Sequence, residues 1–181
     1  FDIRGLSNAV TFRSAEDSEC IATRTGGKNV VVMGAGPIGL ELLDTLRTME
    51  GPQKIYLVSR GEHLYDKVLT PAAVALMKRI YESADSRVEI LLNDEIVEYT
   101  AKNGEITELV LRSRTIGNPF LIFGVGITPS IECVNDSLEC DRGVLVDEHM
   151  RTSDPFVYAV GEVAQMRNGY IAGRVKECTL Q

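Results

Sequence analysis

Apolar residues follow two rhythms along this chain. Asn29–Met33 (NVVVM) is an unbroken, β-branched run, which predicts a strand buried on both faces. Leu40, Leu42, Leu43 and Leu46 then recur at helical spacing to about Met49, where Gly51-Pro52 stops the helix. Residues 54–58 (KIYLV) predict a second strand. Thr70-Pro71 opens a second helix with Val74, Leu76, Met77, Ile80 and Tyr81 as its apolar positions, and residues 87–92 (RVEILL) predict a third strand. Residues 95–100 and 106–112 alternate on either side of Lys102-Asn103-Gly104-Glu105, and Asn-Gly between alternating runs signals a hairpin. Residues 120–125 (FLIFGV) predict another buried strand, and residues 143–147 (GVLVD) and 156–160 (FVYAV) two short ones. Residues 1–27 are polar and read as a connecting arm, in which Ser14-Ala15-Glu16-Asp17 caps a short helix to about Thr23.

The first strand and helix are joined by Gly34-Ala35-Gly36-Pro37-Ile38-Gly39, a G-x-G-x-x-G in the strand–turn–helix setting of the dinucleotide fingerprint. Gly34 allows the tight turn, Gly36 lets a pyrophosphate approach the backbone, and Gly39 lets the helix pack close to the strand. The amides and positive dipole end of the helix suit a phosphate, and Pro37 costs little at the first helical turn. Ser59 lies twenty residues past Gly39, where NAD sites usually carry an acid for the ribose 2′-hydroxyl. Ser59 followed by Arg60 suits a 2′-phosphate, so NADP is favoured over NAD; stacking of Arg60 on the adenine, or exposure to solvent, are the other readings. Gly126-Ile127-Thr128-Pro129 ends the strand at residues 120–125, where a glycine and a proline let a ligand or a backbone come close.

Composition narrows the partners. Apolar content of 44% and charged content of 25% are ordinary for a globular protein, and a net charge of −7 without a basic run argues against nucleic acid and anionic membranes. No apolar run approaches the length of a membrane span. The four cysteines (Cys20, Cys133, Cys140, Cys178) show no C-x-x-C and no zinc spacing, and read as reduced thiols in the cytoplasm; no metal site is expected. His63 and His149 read as surface residues. With no Met at position 1, no signal peptide and no stop signal in Cys178-Thr179-Leu180-Gln181, the sequence reads as an excised fragment.

Five motifs in order carry a resemblance: GAGPIGLE at residues 34–41, the G-x-x-P of residues 126–129, DRGVLVD at 141–147, RTSDP at 151–155 and VYAVGEVA at 157–164. Together they resemble the pyridine nucleotide–disulfide oxidoreductase family of flavoproteins with two dinucleotide-binding domains. Gly161-Glu162 followed by Asn168-Gly169-Tyr170-Ile171-Ala172-Gly173 is most similar to the nitrite reductase large-subunit subfamily. The resemblance implies an α/β fold: a Rossmann-like βαβ domain for NAD(P)H with an antiparallel hairpin or meander crossover, plus a C-terminal fragment of a partner FAD domain. Residues 1–27 are then the arm, 28–127 the NAD(P)H-binding domain and 128–181 the returning segment of the FAD domain. Glu41 is implied near the nicotinamide carboxamide, Gly126 against the bound nucleotide, and Gly161 with Glu162 at the flavin's ribityl–pyrophosphate. Glu162 stands where the family more often has Asp, and Pro119 where it usually has Asp before a strand, which is expected to alter the strand start and not the chemistry.

The implied activity is hydride delivery from NAD(P)H to FAD, then electron transfer to an acceptor such as nitrite or another redox centre. The cofactors carry that chemistry, so no catalytic side chain is expected. The family's other FAD half and its redox cysteine pair are absent, so the fragment alone is expected to be inactive. Surface left by that missing half would favour a homodimer. A non-catalytic nucleotide-binding or sensing module is the alternative reading.

Overall fold

The chain divides into two compact units, Phe1–Gly126 and Ile127–Gln181. A computed structural model describes residues 3–65, 69–126, 128–134 and 136–169. The first unit runs β1 (Ala9–Thr11), α1 (Ala15–Arg24), β2 (Asn29–Met33), α2 (Pro37–Thr48), β3 (Lys54–Ser59), α3 (Pro71–Ala84), β4 (Val88–Leu92), β5 (Ile96–Lys102), β6 (Glu105–Leu111), β7 (Thr115–Gly117) and β8 (Pro119–Phe123). Five strands form a wholly parallel sheet in the order β1-β8-β2-β3-β4. β5, β6 and β7 form a separate antiparallel meander.

The alternation of side chains along a strand explains the layers. Val30 and Val32 of β2 pack on the helical side, with Ile55, Leu57, Ile90, Phe120 and Ile122 of neighbouring strands, Ile21 of α1, and Leu43 and Leu46 of α2. Val31 and Met33 face the other way, into a second core with Val58, Leu121 and the meander's Ile106, Leu109, Leu111 and Ile116. Helices cover one face of the parallel sheet and the meander the other, so both side-chain sets of β2 are buried and its sequence is uninterruptedly apolar. Each fully buried leucine such as Leu43 contributes about 2 kcal/mol of transfer free energy.

Local signals set several boundaries. Ser14 and Asp17 form a capping box on α1, with Asp17 N–H donating to Ser14 Oγ at 3.2 Å and Ser14 N–H to Asp17 Oδ2 at 3.0 Å. Thr70 caps α3 ahead of Pro71. Asn103 and Gly104 both take positive φ, 55° and 76°, as a type I′ turn requires, and they close the hairpin expected between β5 and β6. The C-terminal end of α2 is held by Arg87, whose guanidinium donates to the carbonyls of Arg47 and Met49, each at 2.7 Å. Arg87 also pairs with Asp85 at 2.7 Å, and its hydrogen bonds hold the Asp85 carboxyl below the usual range.

Three expectations need correction. Residues 1–27 are more than an arm. They hold β1, which extends the sheet beside β8 in the register Ala9↔Leu121, as well as α1. β1, three residues in a polar stretch, carries too little pattern to be read locally. What fixes it is Asn8, buried just before β1, whose amide donates to the carbonyls of Ile106 and Pro119 and accepts from Ile106 N–H, all at 2.8 Å. Second, of the expected apolar positions of α3, Leu76 and Ile80 are exposed and Val74 is the buried one.

The third correction lies in the second unit. Its paired strands are β9 (Val144–Val146) and β10 (Ala164–Met166), parallel to each other, with the 3-10 turn Gly161–Val163 before β10. Residues 156–160 do not form a strand. They pair with the preceding turn through the isolated bridge Arg151↔Tyr158, with Thr152 N–H donating to the Val157 carbonyl and Ala159 N–H to the Met150 carbonyl, each at 3.1 Å, and Phe156 is 91% exposed. Ala159 alone of this run joins the small core around Val144, Val146 and Ala164. An apolar run reports a tendency to be buried, and among the described residues no neighbouring strand covers this one. Gly143 instead sits under β10: a Cβ there would lie 2.6 Å from the Val163 carbonyl oxygen.

Candidate nucleotide site in the first unit

Gly34 to Gly39 leave β2 at the carboxyl edge of the parallel sheet and enter α2, between strands that continue the sheet in opposite directions. This is the switch point at which open α/β sheets hold ligands. The turn is tied to both neighbours: Gly34 N–H donates to the Val58 carbonyl and Gly124 N–H to the Met33 carbonyl, each at 2.8 Å.

Two of the three glycines are required by the geometry. Gly34 has φ of +110°, and a Cβ there would lie 2.3 Å from the Gly124 carbonyl oxygen. A Cβ on Gly39 would lie 1.9 Å from the Gly34 carbonyl oxygen. Close packing of helix on strand, expected at Gly39, is thus present, and the constraint on Gly34 comes from β8 as well as from the turn. Gly36 is the N-cap of α2, with Pro37 at its first turn. No side chain caps this helix and no acidic residue stands in its first turn, so its N-terminal amides are open to an anion. Ala35 is buried, and Gly36, Pro37 and Ile38 are half-buried.

Ser59 ends β3 beside the turn, since Met33 pairs with Val58 in the sheet. Its hydroxyl accepts from Gly61 N–H at 3.3 Å, and Arg60 is exposed. The loop that follows docks on the glycine turn: Leu64 is fully buried and Tyr65 N–H donates to the Ala35 carbonyl at 2.8 Å. Glu41 is exposed on α2 and lines a cleft of about 230 Å³ with Phe12, Ser18, Ile21, Thr45 and Met49. Gly126 has φ of +125°, with open space where a Cβ would stand.

The remaining candidates lie in the second unit. Gly161 has φ of +74°, again with open space at the Cβ position, and Glu162 is exposed in the same 3-10 turn. Of the run Asn168 to Gly173, residues 170–173 lie outside the described residues, as does Cys178. Cys20, Cys133 and Cys140 are free thiols. His63 and His149 each lie near the preceding glutamate, at 3.5 and 3.7 Å. Among the described residues no helix is long and apolar enough to cross a membrane, and no three His, Cys, Asp or Glu side chains are grouped to hold a metal ion.

Sequence reasoning missed Gly124, Tyr65 and the pair Asn93-Asp94, which contact the turn or its flanking loop. Gly124 stands within F-G-V-G two residues before Gly126, where the first glycine carried a signal as good as the second.

The model for pyridine nucleotide-disulphide oxidoreductases matches residues 1–177. A rubredoxin-NAD(+) reductase from Pseudomonas putida is 31% identical over 174 residues, covering 94% of this chain and 44% of that protein. A peroxisomal monodehydroascorbate reductase from Arabidopsis thaliana is 32% identical over 173 residues, covering 91% of this chain and 39% of the relative. The solved ferredoxin reductase from Rhodopseudomonas palustris superposes with a TM-score of 0.82 at 27% identity, over 98% of this chain and 45% of the other. The chain therefore spans less than half the length of these relatives.

Proposed function

Because the chain belongs to the pyridine nucleotide-disulphide oxidoreductase family, we propose that it is the nicotinamide-nucleotide-binding part of a flavin-dependent reductase, with NAD(P)H held at the β2–α2 turn. The observation that carries this reading is the glycine turn itself. It has backbone so close-packed that Gly34 and Gly39 admit no Cβ, and it opens onto an uncapped, acid-free helix N-terminus. Such a surface offers N–H donors and a positive dipole end to a pyrophosphate.

On this reading the pyrophosphate rests on Gly34, Ala35, Gly36, Pro37, Ile38 and Gly39. The adenosine ribose lies toward Ser59 and Arg60, at the end of β3. The nicotinamide lies toward the end of β8, where Gly126 leaves room for the nucleotide and Glu41 orients the carboxamide. When bound, the nicotinamide supplies a hydride and the flavin accepts it. The residues here bind and orient, and none has to move a proton. Gly161 and Glu162 are the contribution of residues 128–181 to FAD, the open space at Gly161 being what a ribityl–pyrophosphate needs. The names of the relatives favour a protein redox carrier over nitrite as the final acceptor.

Arg60 supplies the test. Its exposed guanidinium, beside Ser59 in place of an acid, favours a 2′-phosphate and so NADPH over NADH. In titration calorimetry NADPH is expected to bind more tightly than NADH. Arg60→Ala is expected to weaken NADPH about tenfold, the equivalent of about 1.4 kcal/mol, and to leave NADH unchanged. Equal loss of both nucleotides would place Arg60 on the adenine, and binding of neither would remove the assignment of the turn.

A further inference from the structure

β3 and β4 end side by side, with Ser59 paired to Leu92. Beyond that pair the chain leaves β4 through Asn93, in the left-handed region at φ 56°. This turn aims two successive amides back at the end of β3. Asn93 N–H donates to the Gly61 carbonyl at 3.0 Å and Asp94 N–H to the Ser59 carbonyl at 2.9 Å. The two acceptors are the residues on either side of Arg60, so the backbone is fixed before and after Arg60 while the side chain stays exposed.

Asp94 itself is 3% exposed, and it is the one charged residue that is buried among the described residues. A carboxylate is costly to bury unless its oxygens are hydrogen-bonded. Here one oxygen accepts from Glu95 N–H at 2.9 Å and the other from the Ser113 hydroxyl, on the connection between β6 and β7. The carboxylate therefore pins the 93–94 turn to the antiparallel meander, and through two amides pins the loop that carries Arg60. Neither residue is needed to close the sheet, which already ends at Leu92.

We infer that the Asn93-Asp94 turn is a positioning element for nucleotide discrimination: anchored by Ser113, it presents Arg60 in advance to the 2′-position of the adenosine ribose. The inference rests on the proposed seat of the nucleotide. A loop fixed beforehand loses less freedom when it grips a phosphate, so the gain falls on the nucleotide that carries the 2′-phosphate and not on the one that lacks it.

The experiment is a cycle of variants titrated with NADPH and NADH, using the whole 181-residue chain. Asp94→Ala is expected to reduce the preference for NADPH about fivefold while NADH affinity stays within about twofold. In the Arg60→Ala background the same substitution should leave the preference unchanged, because the residue it positions is gone. Ser113→Ala, which removes one support of the carboxylate, should act in the same direction and more weakly; it carries the test if Asp94→Ala does not fold. The inference is overturned if Arg60→Ala lowers the preference but Asp94→Ala and Ser113→Ala do not, or if both weaken the two nucleotides equally. If instead both nucleotides bind without preference, or Arg60→Ala changes none, the 2′-phosphate role of Arg60 falls and takes the inference with it while the turn keeps its assignment; if neither nucleotide binds, the functional reading itself falls.

Discussion

Gly39→Ala is expected to destabilise the first unit by about 3 kcal/mol, at the upper end of what overpacking a well-filled site costs. The added methyl would stand 1.9 Å from the Gly34 carbonyl oxygen and 2.9 Å from its carbon. Both are backbone atoms of the turn, and Gly34 is itself held by the Val58 carbonyl, so neither side can yield without breaking the join between β2 and α2. Gly124→Ala is the control. Its Cβ would sit 3.5 Å from Ile38 Cγ2 and 3.6 Å from Gly39 N, ordinary contact distances, and its expected cost is below about 1 kcal/mol. Urea unfolding of the two variants separates the cases. Equal, small losses would mean that helix and strand are not so closely packed.

The second large effect is expected at Asn8. Asn8→Ala removes three hydrogen bonds of 2.8 Å and leaves the N–H and carbonyl of Ile106 and the carbonyl of Pro119 without that partner. Ile106 is 2% exposed and Asn8 equally so, which leaves water little access to replace the amide. Buried groups left unsatisfied cost about 1–3 kcal/mol each, and partial relaxation brings the expected total to about 3 kcal/mol. Because Asn8 joins β1, β6 and β8, the loss should also appear as fast amide exchange along Ala9–Thr11, while β2 and β3 stay protected. A loss below about 1 kcal/mol with β1 still protected would show that its pairing to β8 suffices alone.

These two residues also mark what the sequence can and cannot disclose. Gly39 was legible because its role is local: strand, turn and helix follow one another within residues 29–48, and each carries its own periodicity. The hairpin at Asn103-Gly104 was legible for the same reason. Asn8 was not, since its partners lie 98 and 111 residues away and a lone asparagine in a polar stretch carries no periodic signal. The short strands β1, β7 and β10 share that property, being defined by pairing and not by pattern.

Misreadings in the other direction have one cause. Phe156, Tyr158 and Val160, expected in a strand, and Leu76 and Ile80, expected as apolar positions of a helix, are exposed. Apolarity states a preference, and burial needs a surface to meet it. At the candidate site the glycine turn could be read directly, whereas Asp94 belongs to no motif or periodic run. Its burial follows from Asn93 taking a left-handed turn, which no periodicity announces.

The central claim is that the β2–α2 turn of the first unit seats a nicotinamide dinucleotide. Titration of the isotopically labelled chain with NADPH, followed amide by amide in nuclear magnetic resonance spectra, tests it most directly. The account predicts saturable shifts at Gly34 to Gly39 except Pro37, and at Ser59 to Gly61, with β9 and β10 unmoved. Shifts confined to other residues, or none at millimolar nucleotide, would contradict it.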